Sequence, residues 1–168
     1  VSYPPPRYSG PAGALSATFR PADAPPDLVI GSRTTVGHLA TGATTDGAFG
    51  LYRWDMAATP PADTTPGGHY HRTFAESFFI LDGTVSLLTG DRWIDAGPGD
   101  YLYVPPGGIH AFANNSGLAA SMLVLFTPGA PREPYFRELA EIVASGRRLT
   151  KQEWTALYAR HDQYEAPA

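Results

Sequence analysis

Three of the five histidines and one glutamate stand at a spacing that could assemble a metal centre: His69, His71, Glu76 and His110. In His69-Tyr70-His71 the two imidazoles take alternate positions, and alternate side chains of a strand share a face. With about 7 Å between alternate Cα atoms, both rings can converge on one ion. Glu76 opens the next apolar run and can bring a carboxylate to the same point. His110 comes much later, directly behind the break Pro105-Pro106-Gly107-Gly108. Three neutral imidazoles and a carboxylate form an N/O donor set suited to one divalent transition metal (Fe, Mn, Ni, Co, Zn or Cu). Such a set leaves coordination positions open for water and a substrate. A His-x-His pair alone is more often two satisfied polar side chains; the placed glutamate and the distant histidine turn the reading toward a metal.

Positioning these residues requires strands. Leu28 to Ile30, Thr34 to Ala40 and Ala48 to Ala57 are strand-like, and in the last Tyr52, Trp54 and Met56 form one apolar stripe of period two. Glu76 to Leu81 and Thr84 to Thr89 flank Asp82-Gly83, which reads as a hairpin turn. Arg92 to Asp95, Tyr101 to Val104, Ile109 to Asn114 and Ser121 to Thr127 follow, separated by Gly-Asp, Gly-Pro-Gly-Asp and Pro-Gly breaks. Roughly nine short strands at this spacing predict a sandwich or closed barrel over residues 28–127. Residues 1–27, with Pro4-Pro5-Pro6 and Pro25-Pro26, read as an extended arm, because proline removes a donor and disfavours helix before it. After Pro128 the period becomes helical. Phe136, Leu139, Ala140 and Val143 share a face, and Gly146 is a stop. Thr150 with Glu153 forms a capping box for a second helix bearing Trp154, Leu157 and Tyr158. Residues 128–168 are therefore expected as a helical extension on the barrel, with its aromatics serving packing.

Two stretches resemble the paired motifs of the cupin superfamily. The first runs His69, one residue, His71, four residues, Glu76, six residues, Gly83. The second runs Gly99, five residues, Pro105, one residue, Gly107, two residues, His110, three residues, Asn114. One departure is Asp63, where the first motif often carries a glycine. The resemblance implies an all-β double-stranded β-helix, or jelly-roll barrel, with a metal held on His69, His71, Glu76 and His110. The stretches Phe126-Thr127-Pro128-Gly129 and Tyr135-Phe136-Arg137-Glu138-Leu139 are similar to the tail of single-domain quercetin-dioxygenase-like cupins. This likeness implies a metal-dependent dioxygenase for an aromatic or enol-ketone, flavonol-like substrate, with Glu76 as ligand and catalytic base. A non-oxidative isomerase, cyclase or lyase, and a small-molecule-binding barrel without turnover, are the alternatives that one site geometry also serves.

Strand alternation places Phe78 and Ile80 on the face of Glu76, and Phe112 on that of His110, so these three are the candidate substrate-binding residues. Tyr101 and Tyr103 face either way, depending on register. Arg72 and Arg92 are expected in solvent, His38 and His161 as structural or exposed residues, and Asn114 as a turn former. The formal charge of −4, with twelve basic residues scattered along the chain, gives no reason to expect nucleic acid. The absence of cysteine excludes disulfides and thiolate chemistry. No apolar run approaches the ~18 residues of a membrane helix and no basic-then-apolar leader opens the chain, so a cytoplasmic protein without a membrane partner is expected. A homodimer is expected as well, since open sheet edges invite a partner's strand or arm.

Overall fold

The computed structural model describes residues 2–58, 60 and 66–167; Asp63 lies outside them. Residues 2–27 carry neither helix nor strand. The strands are β1 (Leu28–Ile30), β2 (Thr34–Ala40), β3 (Gly50–Met56), β4 (His69–Tyr70), β5 (Ala75–Asp82) and β6 (Val85–Thr89). They continue with β7 (Arg92–Ala96), β8 (Tyr101–Val104), β9 (His110–Ala113), β10 (Ala120–Thr127) and β11 (Tyr164–Glu165), after helices α1 (Glu133–Ser145) and α2 (Lys151–Arg160). Two antiparallel sheets face one another. One is six-stranded in the order β1-β2-β3-β10-β5-β8, the other five-stranded in the order β11-β4-β9-β6-β7. This is the double-stranded β-helix.

Alternation builds the core between the sheets. On β3 the side chains of Tyr52, Trp54 and Met56 point inward. On β10 Met122, Val124 and Phe126 do the same, and the register sets Val124 opposite both Tyr52 and Phe78. Burying such side chains stabilises the fold by about 1.5–3 kcal/mol each before chain entropy is counted. Helix α1 begins with Pro134 in its first turn and ends on Gly146 in the left-handed region. Its Tyr135 and Phe136 complete the core, where Phe136 meets Tyr52 and Trp54 edge-on at 5.4 and 5.3 Å. Helix α2 carries the full capping box of Thr150 and Glu153.

Two expectations change. Asp82-Gly83 does not close a hairpin: β5 lies in the six-stranded sheet and β6 in the five-stranded one, so the chain crosses between sheets there. The turn chemistry is as read, since Gly83 has φ of 71°, but sequence alternation cannot say which strand a turn pairs with which. The tight hairpin comes one turn later, where Gly90-Asp91 joins the paired ends Thr89 and Arg92. Strand β4 is also shorter than the His69-to-His71 strand expected, and His71 falls just past its end. Sequence reasoning missed β11, whose Tyr164 and Glu165 pair with Tyr70 and His69.

A Cβ at Gly83 would collide with the Ala119 carbonyl and the Ala120 backbone, whereas at Gly90, also at positive φ, it would meet nothing within 4 Å. Gly90→Ala should therefore cost about 1–2 kcal/mol from backbone conformation alone. Gly83→Ala should cost clearly more, as read by urea denaturation midpoints of the two variants.

Candidate metal centre

Both sheets deliver residues to one point. Glu76 stands on β5 of the six-stranded sheet, opposite Phe126 and Val104. His69 and His110 are direct partners across β4 and β9 of the five-stranded sheet. His71 follows β4. One ligand atom from each of the four lies within 4.8 Å of the others. Glu76, His71 and His110 are buried and His69 is half-buried.

Proton placement at this cluster follows from its outer contacts. His71 Nδ1 is 2.7 Å from the Asp162 carbonyl, and His110 Nδ1 is 2.9 Å from the Gly108 carbonyl. A carbonyl only accepts, so both Nδ1 atoms carry hydrogen, an assignment made from the network. In the neutral rings Nε2 then presents a lone pair. Those lone pairs point at Glu76 Oε2, from 3.0 Å (His71) and 2.9 Å (His110), which is itself an acceptor. Three acceptors so close need a cation among them, a proton or a metal ion. Bonds of about 2.1 Å to one ion put adjacent octahedral ligands about 3.0 Å apart and opposite ones about 4.2 Å apart. The donor set therefore fits a divalent ion with only small side-chain adjustments.

Electrostatics agree with that picture. Burial drives the His69 imidazole down to about 3, helped by repulsion from His110, so this ring stays neutral and able to coordinate at physiological pH. Burial alone would raise Glu76, but the close contacts with His110 and His71, where a cation shared with their Nε2 atoms favours the carboxylate, hold it well below the usual carboxylate range. For His110 burial acts downward, and the Glu76 contact and charge, with the Gly108 carbonyl, lift it above its ordinary value.

A cavity of about 100 Å³ adjoins the cluster, lined by Trp54, His69, Glu76, Phe112, Arg132 and Gln163 among others. Helix α1 closes it with Tyr135, Phe136 and Leu139. The α1 aromatics thus wall the cavity besides packing the core, because the helix lies along β1 and turns Tyr135 and Phe136 inward, a placement that an amphipathic stripe does not specify. A second, outer groove of about 560 Å³ shares His69, Phe112, Tyr135 and Gln163 with this cavity. Of the three candidate substrate-binding residues, Phe112 lines both spaces. Phe78 and Ile80 are fully buried in the core, with the Phe78 ring 5.9 Å from that of His110.

The remaining residues singled out from sequence have other surroundings. Tyr101 and Tyr103 face outward, Tyr101 donating to Ser77 Oγ at 3.0 Å. Arg92 is exposed, and exposed Arg72 stacks over Tyr164 with its guanidinium 4.0 Å from the ring. His38 packs edge-on against Tyr52, and His161 Nε2 lies 2.9 Å from Glu138 Oε1. Asn114 shapes its turn, donating to the Leu118 carbonyl at 2.7 Å and accepting from Ser116.

Residues that sequence reading did not reach support the centre from the C-terminal end. Asp162 holds a positive φ of 51°, a conformation that aspartate tolerates better than most residues. Its carboxylate accepts from the Arg72 and Thr73 backbone N–H groups and from the Thr73 hydroxyl at 2.6 to 3.1 Å, while its carbonyl orients His71. Arg132 and Gln163 were equally hidden, since neither belongs to a motif, and Tyr135 was expected only in packing. The one available signal was an Asp beside the His161 that ends a helix.

Comparison with known proteins places these observations. Residues 56–126 match the family described as the Cupin domain. A quercetin 2,3-dioxygenase of Bacillus subtilis (strain 168) is 34% identical over 73 residues, which is 44% of this chain and 21% of that protein. The chain thus spans about a fifth of the length of that relative. Among solved structures, the polyketide cyclase RemF from Streptomyces resistomycificus superposes with a TM-score of 0.52 at 22% identity, covering 66% of this chain and 78% of that one. KdgF from a Halomonas species gives 0.49 at 14% identity, over 60% and 85%. These likenesses to solved structures concern the fold.

Outer contacts of a metal-binding histidine typically govern affinity by 10–100-fold. Asp162→Ala should therefore retain the fold and lower affinity for Zn(II) or Co(II) about tenfold in chelator competition, through loss of the carboxylate that orders the His71 loop.

Proposed function

The chain belongs to the cupin superfamily, and from that premise we propose a metal-dependent enzyme, a dioxygenase for an aromatic or enol-ketone substrate of the flavonol kind. The observation that carries this reading is the convergence of His69, His71, Glu76 and His110 on one buried point beside an aromatic-lined cavity. A bound divalent ion, whether Fe, Mn, Ni, Co, Zn or Cu, would polarise adjacent substrate oxygens and stabilise negative charge developing on them.

The protein's own part is positioning and proton handling. His71 and His110 are fixed through Nδ1 by the Asp162 and Gly108 carbonyls, which aims each Nε2 inward. His69, with Phe112, Tyr135 and Gln163, borders both the inner cavity and the outer groove, where it can contact a molecule in either space. The neighbouring His110 and His71 hold Glu76 toward its ionised, accepting form. A carboxylate held low is a weak base, so its task is to receive the proton of an enol, which is more acidic than an alcohol. Phe112 and Phe136 offer apolar walls to a planar substrate, whose reacting edge would occupy the inner cavity and whose body would extend into the outer groove. Closure by α1 limits water at the reacting edge.

One observation favours a second reading. An inner space of about 100 Å³ is smaller than the ~300–1,000 Å³ of most ligand pockets. It suits a smaller carbonyl compound handled without oxygen by an isomerase, cyclase or lyase, or a small ligand bound without turnover. Protein loaded separately with each of the six metals and mixed with a flavonol in air should consume O₂ and bleach the flavonol absorbance with at least one of them. Glu76→Gln should slow this on the order of 100-fold. Unchanged oxygen across enol and catechol panels, with a compound transformed anaerobically, would assign the second reading.

Assembly as a homodimer is part of the same proposal. Tyr3, Leu15 and Phe19 of the arm are almost wholly exposed on their own chain, as is half of Val29 on the edge strand β1. Light scattering should give a dimer for the full chain and a lower mass once residues 1–27 are removed.

A further inference from the structure

Two residues that line the cavity beside the metal cluster each keep a buried donor without a hydrogen-bond partner, Arg132 at Nε and Trp54 at Nε1. Both side chains are more than nine-tenths buried, Arg132 at 4% exposure and Trp54 at 8%. An unpaired buried donor costs about 1–3 kcal/mol, more when charged, so two around one small cavity call for an acceptor.

Arg132 is the more demanding of the two. Its terminal nitrogens donate to the His161 carbonyl at 2.7 Å and to Gln163 Oε1 at 3.2 Å, both neutral acceptors. Aromatic faces surround the rest, Tyr135 at 4.3 Å and Phe74 and Phe126 at 5.4 Å. Among the described residues no carboxylate forms a salt bridge with it. Burial disfavours its charge, and the Glu76 carboxylate is the largest charge favouring the protonated guanidinium. A divalent ion on the cluster would engage that same carboxylate, so that a dication and a guanidinium would face one negative charge. A buried cation in that position demands an anion.

We propose that Arg132, with Trp54, is the specificity-determining pair for a substrate carboxylate, so the smaller carbonyl compound of the second reading above is a carboxylic acid bound as its anion. A guanidinium and an indole N–H supply two donors to the two carboxylate oxygens, and guanidinium is the side chain best matched to that group. The cavity holds the volume of about three waters, enough for a carboxylate and the atoms next to it. Arg132 lies just before α1 and Trp54 on β3, so the C-terminal extension and the barrel each supply one donor. The inference rests on the reading that this cavity receives the substrate; it does not depend on oxygen.

Acetate and acetamide, planar probes of equal size and different charge, test it by equilibrium binding. The indole N–H resonance of Trp54, assigned by loss in Trp54→Phe, is followed in Zn(II)-loaded protein. Acetate should shift it saturably, and acetamide should need at least tenfold higher concentration. Arg132→Gln that keeps its fold and zinc should weaken acetate at least tenfold and leave acetamide unchanged. Arg132→Lys, which keeps a cation there, should retain most of the acetate preference. Equal response to both probes, a Trp54 resonance unmoved at saturating acetate, or wild-type affinity in folded Arg132→Gln would overturn the proposal. Equal weakening in folded Arg132→Gln and Arg132→Lys would overturn it too, by assigning the effect to helix placement. Should Arg132→Gln not fold, Arg132→Met is read in its place with the same expected and overturning results, because acetate can also bind zinc directly and only loss of the guanidinium isolates its share. Because no turnover is measured, failure here is separable from failure of the oxygen reading, which the electrode measures.

Discussion

Everything around the centre depends on the contact of one carboxylate oxygen, Oε2 of Glu76, with Nε2 of His71 and Nε2 of His110. That oxygen comes from the six-stranded sheet, while His110 comes from the five-stranded one and His71 from the loop that follows its strand β4. The contact therefore fastens the two layers of the sandwich at a point where apolar packing gives way to polar chemistry. Buried ionisable groups are costly unless every lone pair and proton is matched, and breaking such a cluster by removing one member costs more than the cluster contributes. Here the matching extends outward through Nδ1 of each ring to a main-chain carbonyl, so the backbone dictates the tautomer and the tautomer dictates that an additional cation sits between the rings and the carboxylate.

The same dependence explains why the C-terminal segment, which carries no motif, is part of the site. Asp162 reaches His71 by its carbonyl and the following loop by its carboxylate. Glu165 pairs with His69, and Ala166 donates to the Gly68 carbonyl at 2.8 Å, so β11 forms the outer boundary of the strand that bears His69 and leads into His71. Gln163, between these two, accepts from Arg132. Loops tied in this way lose the freedom that loops usually have, and the His69–His71 stretch gains a rigid support that its own two-residue strand could not provide.

Much of this was legible from the residue string, and the division is physical. Alternation marked Tyr52, Trp54 and Met56 as inward and did so correctly, because period two is a local property of the pleat. The four-residue cluster was legible because its spacing is imposed by strand and turn lengths within one continuous stretch. Capping at Thr150 and the stop at Gly146 were legible for the same local reason. What escaped depends on contacts distant in sequence. The assignment of β5 and β6 to different sheets, the pairing of β11 with β4, and the walls supplied by Tyr135 and Phe136 are all set by tertiary placement. Phe78 and Ile80 illustrate the limit well: alternation gives their face, yet whether that face meets the cavity or the core depends on how α1 and β10 fill the space.

Arg132 shows how such a distant contact can matter most. Nothing in Ala130-Pro131-Arg132-Glu133 distinguishes this arginine from the other scattered ones, and a residue just before a helix is ordinarily solvated. Its burial follows from α1 lying along β1 with Tyr135 and Phe136 turned inward, which leaves the guanidinium among Tyr135, Phe74 and Phe126. Packing alone would select a neutral side chain there, since an apolar residue of similar volume would satisfy the rings without desolvating a charge. Nor does Arg132 anchor the helix by an ion pair, because its partners are a carbonyl and an amide oxygen. A charge retained against those terms, beside a cluster that already calls for a cation, is best understood through the molecule that the cavity receives. The ion side of the cavity and the guanidinium side then impose one requirement from two directions: oxygen acceptors at both, and net negative charge between them.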